Sequence, residues 1–144
     1  SHPPVIPYML RQSVRGGTII VHGSGAQTRD YVFVDDVVNA MVAASTAPGI
    51  NNLVINVGSG VDTSVRDLVS IVQQAAGNQA EVVYNPRMDP GVSRMCADLK
   101  LAADKLNYQP RIAIPEGLRL TMQRDLRLRK DATRPIIKTP SNGA

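Results

Sequence analysis

The sequence predicts an α/β fold, with helices layered on a sheet. Two observations carry this. Stretches of helical periodicity alternate with short β-branched runs, in the order helix, strand, strand, helix, strand, helix, strand, helix, helix. One of the strands, Leu53 to Val57, is nearly all apolar and bounded by turn residues, the pattern of a parallel strand buried on both faces. A parallel strand needs a neighbour, and no other run is an obvious parallel partner for it. The rest of that sheet is therefore expected to lie in sequence outside this chain.

The elements follow in order. Val5, Ile6, Met9, Leu10 and Val14 recur at helical spacing, and Gly16-Gly17 ends that helix as a C-cap. Thr18 to His22 is a short strand, Gly23 to Gln27 a turn, and Arg29 to Val34 a second strand. Asp35 or Asp36 is a suitable N-cap for a helix through Val37, Val38, Met41 and Val42, which Pro48-Gly49 closes. Gly58-Ser59-Gly60 follows the apolar strand directly. Thr63 or Ser64 caps the next helix, whose apolar face is Val65, Leu68, Val69, Ile71 and Val72. Ala80 to Tyr84 reads as a strand, Asn85 to Ser93 as a loop, and Leu99 to Leu106 as a short helix. A last helix runs through Leu118, Leu120, Met122 and Leu126. Residues 1–130 thus form one unit, and 131–144, without periodicity, are expected to be a disordered tail.

Composition narrows the function. The chain has 144 residues, enough for one modest domain, and 43% are hydrophobic. Aromatics are only 3%, too few for the stacking platforms of a single-strand nucleic-acid binder. The net charge of +4 is concentrated where Arg119, Arg124, Arg127, Arg129, Lys130 and Arg134 face only Asp125 and Asp131. Such an end can bind nucleic acid or a membrane, but a solvated helix end is the simpler reading, so neither partner is expected. The single Cys96 allows no internal disulfide and suits a reducing, cytoplasmic setting. No apolar run approaches the ~20 residues needed to cross a bilayer, and there is no signal-peptide pattern. The opening Ser1-His2-Pro3-Pro4 looks like a loop interior, so a piece of a longer or trimmed chain is expected.

Few residues stand out chemically. Arg29, beside a glycine turn at the start of a strand, can fork onto a phosphate or form a local salt bridge to Asp30 or Asp35. Gly58-Ser59-Gly60 can offer free helix N–H groups to an anion, or be only a tight turn; it lacks the third glycine of a dinucleotide fingerprint. Arg87, Asp89 and Arg94 sit in a proline-rich loop that can close over a phosphate or lie solvated. His2 and His22 are isolated, so no metal site is expected. Cys96 reads as a small core residue. No tyrosine is followed by a lysine four residues later, and no catalytic residue is assigned.

The run Gly23-Ser24-Gly25-x-Gln27-Thr28-Arg29-Asp30-Tyr31-Val32-Phe33-Val34-Asp35-Asp36-Val37 resembles a signature of the extended short-chain dehydrogenase/reductases, the NAD-dependent epimerase/dehydratase enzymes that act on nucleotide-sugars. Val5-Ile6-Pro7, Asn56-Val57-Gly58-Ser59-Gly60, Ala97-Asp98, Lys105-Leu106 and Pro115-Glu116-Gly117-Leu118 fall in the same order as in that family. The resemblance covers roughly residues 5–127. It implies that Arg29 holds a nucleotide diphosphate with Tyr31 nearby, that Val5 and Ile6 contact the base, and that Val65 lines the ribose or base. It implies a second phosphate arginine at Arg87. Counting back from Ala97-Asp98 puts that arginine at Met88, one residue away, and leaves Arg94 as the other candidate.

The family's glycine-rich dinucleotide loop and its Tyr-x-x-x-Lys do not occur here. The resemblance therefore implies the C-terminal, substrate-binding portion of a Rossmann-type enzyme. NAD and the chemistry would belong to an absent N-terminal half, and the complete enzyme would be a homodimer. The chain by itself is expected to be inactive. The alternative is a non-catalytic α/β module that binds a nucleotide or a partner protein.

Overall fold

The computed structural model describes residues 4–77, 80–89 and 91–128, and the expected tail at 131–144 lies outside them. Helix α1 spans Val5–Arg15 and buries Met9 and Leu10. Its C-cap Gly16 takes φ 67°, a left-handed backbone that glycine adopts without a Cβ clash. Strand β1 (Thr18–His22) then pairs in parallel with β4 (Glu81–Asn85), Thr18 opposite Glu81 and His22 opposite Asn85. The Tyr8 hydroxyl accepts from the Ile20 N–H at 3.0 Å and donates to the Thr18 carbonyl at 3.3 Å, so a side chain blunts that edge of β1.

Helix α3 (Val65–Ala76) is the last element of the long connection between β1 and β4. As expected, Ser64 caps it, its hydroxyl oxygen accepting from the Asp67 N–H at 3.0 Å. Leu68, Val69 and Val72 face Met9 and Leu10 of α1, Ile19 and Val21 of β1, and Leu118 of α5 (Ile114–Arg124) in the main core. A second, smaller core joins Ala40 of α2 (Val34–Thr46) to Ala102 and Leu106 of α4 (Lys100–Leu106) and to Tyr108. Between the two lies a three-stranded sheet in which β2 (Thr28–Asp30) pairs antiparallel with β3 (Asp62–Ser64) and parallel with β5 (Arg94–Met95).

Four expectations change. Leu53 to Val57 is extended but belongs to no sheet, because no described strand lies beside it to complete a ladder. It is not buried on both faces: Val54 is 88% exposed, while Ile55 and Val57 pack on the second core. The chain's parallel pairing lies instead between β1 and β4, and between β2 and β5. The second strand ends at Asp30, since Tyr31 to Phe33 run extended straight into α2. The N-cap of α2 is Phe33, with no side-chain cap, and Asp35 and Asp36 lie inside the first turn, where their charge still suits the helix dipole.

The described part of the basic end is charge-paired. Arg119 pairs with Glu116, Arg124 with Asp35 and Arg127 with Asp125. The Arg124–Asp35 contact is bidentate, at 2.9 Å on both arms, and Arg124 also stacks over Phe33. Among the described residues no helix is long and apolar enough to cross a membrane.

Candidate functional site

The site is built on β2. Its three residues carry three different jobs because a strand turns successive side chains to opposite faces. Thr28 ties the central strand to β3, its hydroxyl donating to Asp62 Oδ2 at 3.3 Å. Arg29 enters an open cleft of about 420 Å³, walled by Val32, Asn56 to Gly58 and Met95 to Ala97. Its Nη1 donates to the Val92 carbonyl at 2.6 Å and to the Thr28 carbonyl at 2.7 Å. Neither Asp30 nor Asp35 pairs with it, so the local salt bridge is absent. Asp35 is engaged by Arg124, and Asp30 turns the other way. The guanidinium is thus oriented by carbonyls, and no described carboxylate neutralises it.

Asp30 meets the Gly58 to Gly60 turn. Its Oδ1 accepts from the Ser59 N–H at 2.7 Å and the Ser59 hydroxyl at 2.6 Å. Its Oδ2 accepts from the Gly60 N–H at 3.0 Å and the Ala97 N–H at 3.1 Å. The turn is therefore an anion-binding turn whose anion is part of the chain. Only glycine fits at 58, because a Cβ there would lie 2.7 Å from Ala97 Cβ and closer still to the Asp30 carboxylate. Tyr108 closes the back, donating its hydroxyl to the Gly58 carbonyl at 2.7 Å.

Burial raises the Asp30 pKa, but the bonds from the Ser59 side chain and from the Ser59, Ala97 and Gly60 amides outweigh it, leaving the group below its ordinary value. Arg94 lowers Asp62 likewise, and Arg127 brings Asp125 to about 2. A carboxyl depressed on folding stabilises the fold when both states are ionised, above the unfolded pKa. That contribution disappears as pH falls through the folded value. Urea midpoints should hold steady at neutral pH and drop below the ordinary carboxylate value of 3.8. A midpoint that rises on acidification would contradict these pairings.

The other expected site residues separate into groups. Ile6 and Tyr31 share an apolar cleft of about 210 Å³ with Phe33, Ile112 and Leu118. The Tyr31 hydroxyl is buried without a hydrogen-bond partner, and burial raises its pKa against the lowering effect of Arg29. Val65 is 8% exposed and belongs to the main core, whereas Val5 is 37% exposed and outside it. Arg87 is exposed in the turn after β4, its N–H donating to Asn85 Oδ1, and it does not line the Arg29 cleft. Arg94 is committed to Asp62 at 2.8 Å, which removes it as a free phosphate ligand in this conformation. Cys96 is half-buried on the Arg29 cleft wall rather than in the core. No group of three or more metal-ligating side chains occurs among the described residues.

Two participants escaped the sequence reading. Asp36 is 2% exposed and accepts from the Arg111 and Ile112 N–H groups at 3.1 and 3.0 Å. Tyr108 is the other. Both act across 50 residues of sequence or more, at separations of 75 or 76 and of 50. No local pattern signals such contacts.

The geometry has close counterparts. The sequence model of the NAD dependent epimerase/dehydratase family matches residues 2–58. A UDP-glucose 4-epimerase of Mycolicibacterium smegmatis is 39% identical over 119 residues, 83% of this chain and 38% of that protein. The crystal structure of UDP-glucose 4-epimerase with UDP-glucose from Thermotoga maritima superposes with a TM-score of 0.78 at 32% identity, over 85% of this chain and 39% of its own. UDP-glucuronic acid 4-epimerase from Bacillus cereus, in complex with UDP-glucuronic acid and NAD, gives 0.74 at 26% identity, over 80% and 37%. The chain spans about two fifths of the length of these relatives.

Proposed function

The chain belongs to the NAD-dependent epimerase/dehydratase family, and from that premise we propose that it is the part of a nucleotide-sugar epimerase or dehydratase that grips the nucleotide diphosphate. One observation carries the reading: Arg29 faces an open cleft, is oriented by two carbonyls, and has no described carboxylate to compensate it. A guanidinium so placed presents its remaining N–H groups as a fork matched to phosphate oxygens. Tyr31 and Ile6 line a separate apolar cleft that shares Val32 with the Arg29 cleft, and are read, together with Val5 and Val65, as the apolar contacts to the ligand. Arg87, on the exposed turn after β4, is the second arginine read as a phosphate ligand, though it does not line the Arg29 cleft in this conformation. UDP-sugars are the first choice of ligand, since UDP-glucose and UDP-glucuronic acid occupy the two structural relatives.

NAD, present in the Bacillus cereus relative, does not fit the residues in hand. The 58–60 turn spends its Ser59 and Gly60 amides on Asp30, at 2.7 and 3.0 Å, and in the turn after β1 the Gly23 N–H donates to the Asn85 carbonyl at 2.9 Å. We assign NAD and the reacting groups to sequence outside this chain. Val34 (58% exposed), Met41 (67%) and Val54 (88%) are exposed apolar side chains that further sequence of a larger protein could cover. The complete enzyme is read as a cytoplasmic homodimer, and this chain by itself as inactive.

Calorimetry with UDP, dTDP and GDP tests the grip. Binding of at least one nucleotide is expected, and Arg29→Ala should weaken it by about 1.5–3 kcal/mol, the range for a charged hydrogen bond. An unchanged dissociation constant removes Arg29 from the site. A folded chain that gives no heat with any nucleotide supports instead a module that binds a partner protein.

A further inference from the structure

We propose that Asp30 is a positioning residue that fixes the walls of the diphosphate cleft and keeps Arg29 available to a ligand. The proposal rests on the nucleotide-grip reading and deepens it. The cleft is walled by three stretches far apart in sequence: β2 itself, the extended segment that ends at Gly58, and Met95 to Ala97 after β5. The β5 stretch is paired to β2 through only two residues, Thr28 with Arg94 and Arg29 with Met95. The 58–60 turn does not lie in that ladder at all. The Asp30 carboxylate is what joins them, receiving Ser59 and Gly60 on one side and Ala97 on the other.

The same four bonds settle a conflict of charge. A carboxylate next in sequence to a phosphate-binding arginine is its natural ion-pair partner, and such a pair would compete with the ligand. Asp30 does not compete. Both its oxygens are occupied by donors, two each, and Arg29 reaches the Val92 and Thr28 carbonyls instead. The fit is close, since a Cβ on Gly58 would touch both the carboxylate and Ala97. A carboxylate is needed rather than an amide. An asparagine has one oxygen for one pair of donors and would set its own N–H groups against the other pair.

Cys96, the chain's single cysteine, lies in the cleft wall next to Ala97 and reports on that wall without any ligand. In Asp30→Asn, release of the Ala97 amide should speed thiol labelling of Cys96 by about fivefold or more, with the thermal midpoint lowered by only a few degrees. UDP affinity should fall about tenfold. Ser59→Ala removes one donor and keeps the amide bonds, so it should give a smaller change in the same direction and serves if Asp30→Asn does not fold. Labelling within twofold of the parent in the folded variant overturns the proposal. So does UDP affinity within twofold when the parent binds UDP. Faster labelling in a chain whose parent binds no nucleotide upholds the role of Asp30 in the wall and sinks the nucleotide reading alone.

Discussion

Leu68→Ala is expected to lower the unfolding free energy by about 3–5 kcal/mol. Leu68 is fully buried in the N-terminal half of α3, where the faces of α1, β1 and α5 meet. Its side chain loses all contact with water on folding, and its removal leaves a hole that neighbours on three separate elements cannot close together. The loss is large beside the 5–15 kcal/mol typical of a whole domain. It also reaches the site. Helix α3 begins at Val65, whose N–H donates to the Gln27 carbonyl at 3.0 Å, so the helix anchors the residue just before β2. Urea denaturation followed by far-UV circular dichroism measures the loss. A cost below about 1 kcal/mol would mean that α3 is not packed on its neighbours as the structure has it.

The helices were legible because their signals are local. The face Val65, Leu68, Val69, Val72 is set by a period of 3.6 residues, and its ends by Ser64 and Gly77, the latter at φ 62°. The strands were less so. Leu53 to Val57 has the composition of a buried parallel strand, but a strand exists only through its partner, and none of the described strands stands beside it. β5 is two residues long and β3 three, too short for any alternation to register.

The site divides in the same way. The run from Gly23 to Val37 carried enough local signal to single out Arg29, and the structure leaves its guanidinium free of the salt bridges that sequence neighbours would suggest. The roles of the acidic residues around it were not legible. Asp30 and Asp35 look like partners of Arg29 by adjacency. Their true partners, Ser59 and Arg124, lie 29 and 89 residues away. Likewise the glycine turn at 58–60 looks open to an outside anion until Asp30 is seen in it. Adjacency in sequence is a poor guide to charge pairing in an extended segment, where neighbouring side chains point apart.

Asp36 makes the same point with a measurable cost. By position it is a helix cap; in the structure it lies inside the first turn of α2, and its Oδ2 accepts the Arg111 and Ile112 amides. Those amides belong to the strap that leads into α5 and walls the apolar cleft beside Tyr31. Asp36→Ala leaves two part-buried N–H groups with no acceptor, each in the lower part of the about 1–3 kcal/mol range for an unsatisfied group, so a destabilisation of about 2–4 kcal/mol is expected. Asp36→Asn separates the causes. Both amides use one oxygen, which asparagine retains, so that variant loses only the interaction of the charge with the helix N-terminus, about 0.3–1 kcal/mol. Urea denaturation of the two variants should therefore differ by more than about 1 kcal/mol. Equal losses would show that the charge, and not the acceptor, ties the strap to α2. If the acceptor is what counts, hydrogen exchange at Arg111 and Ile112 should quicken in the alanine variant and stay slow in the asparagine one, because only the first frees those amides from the fold.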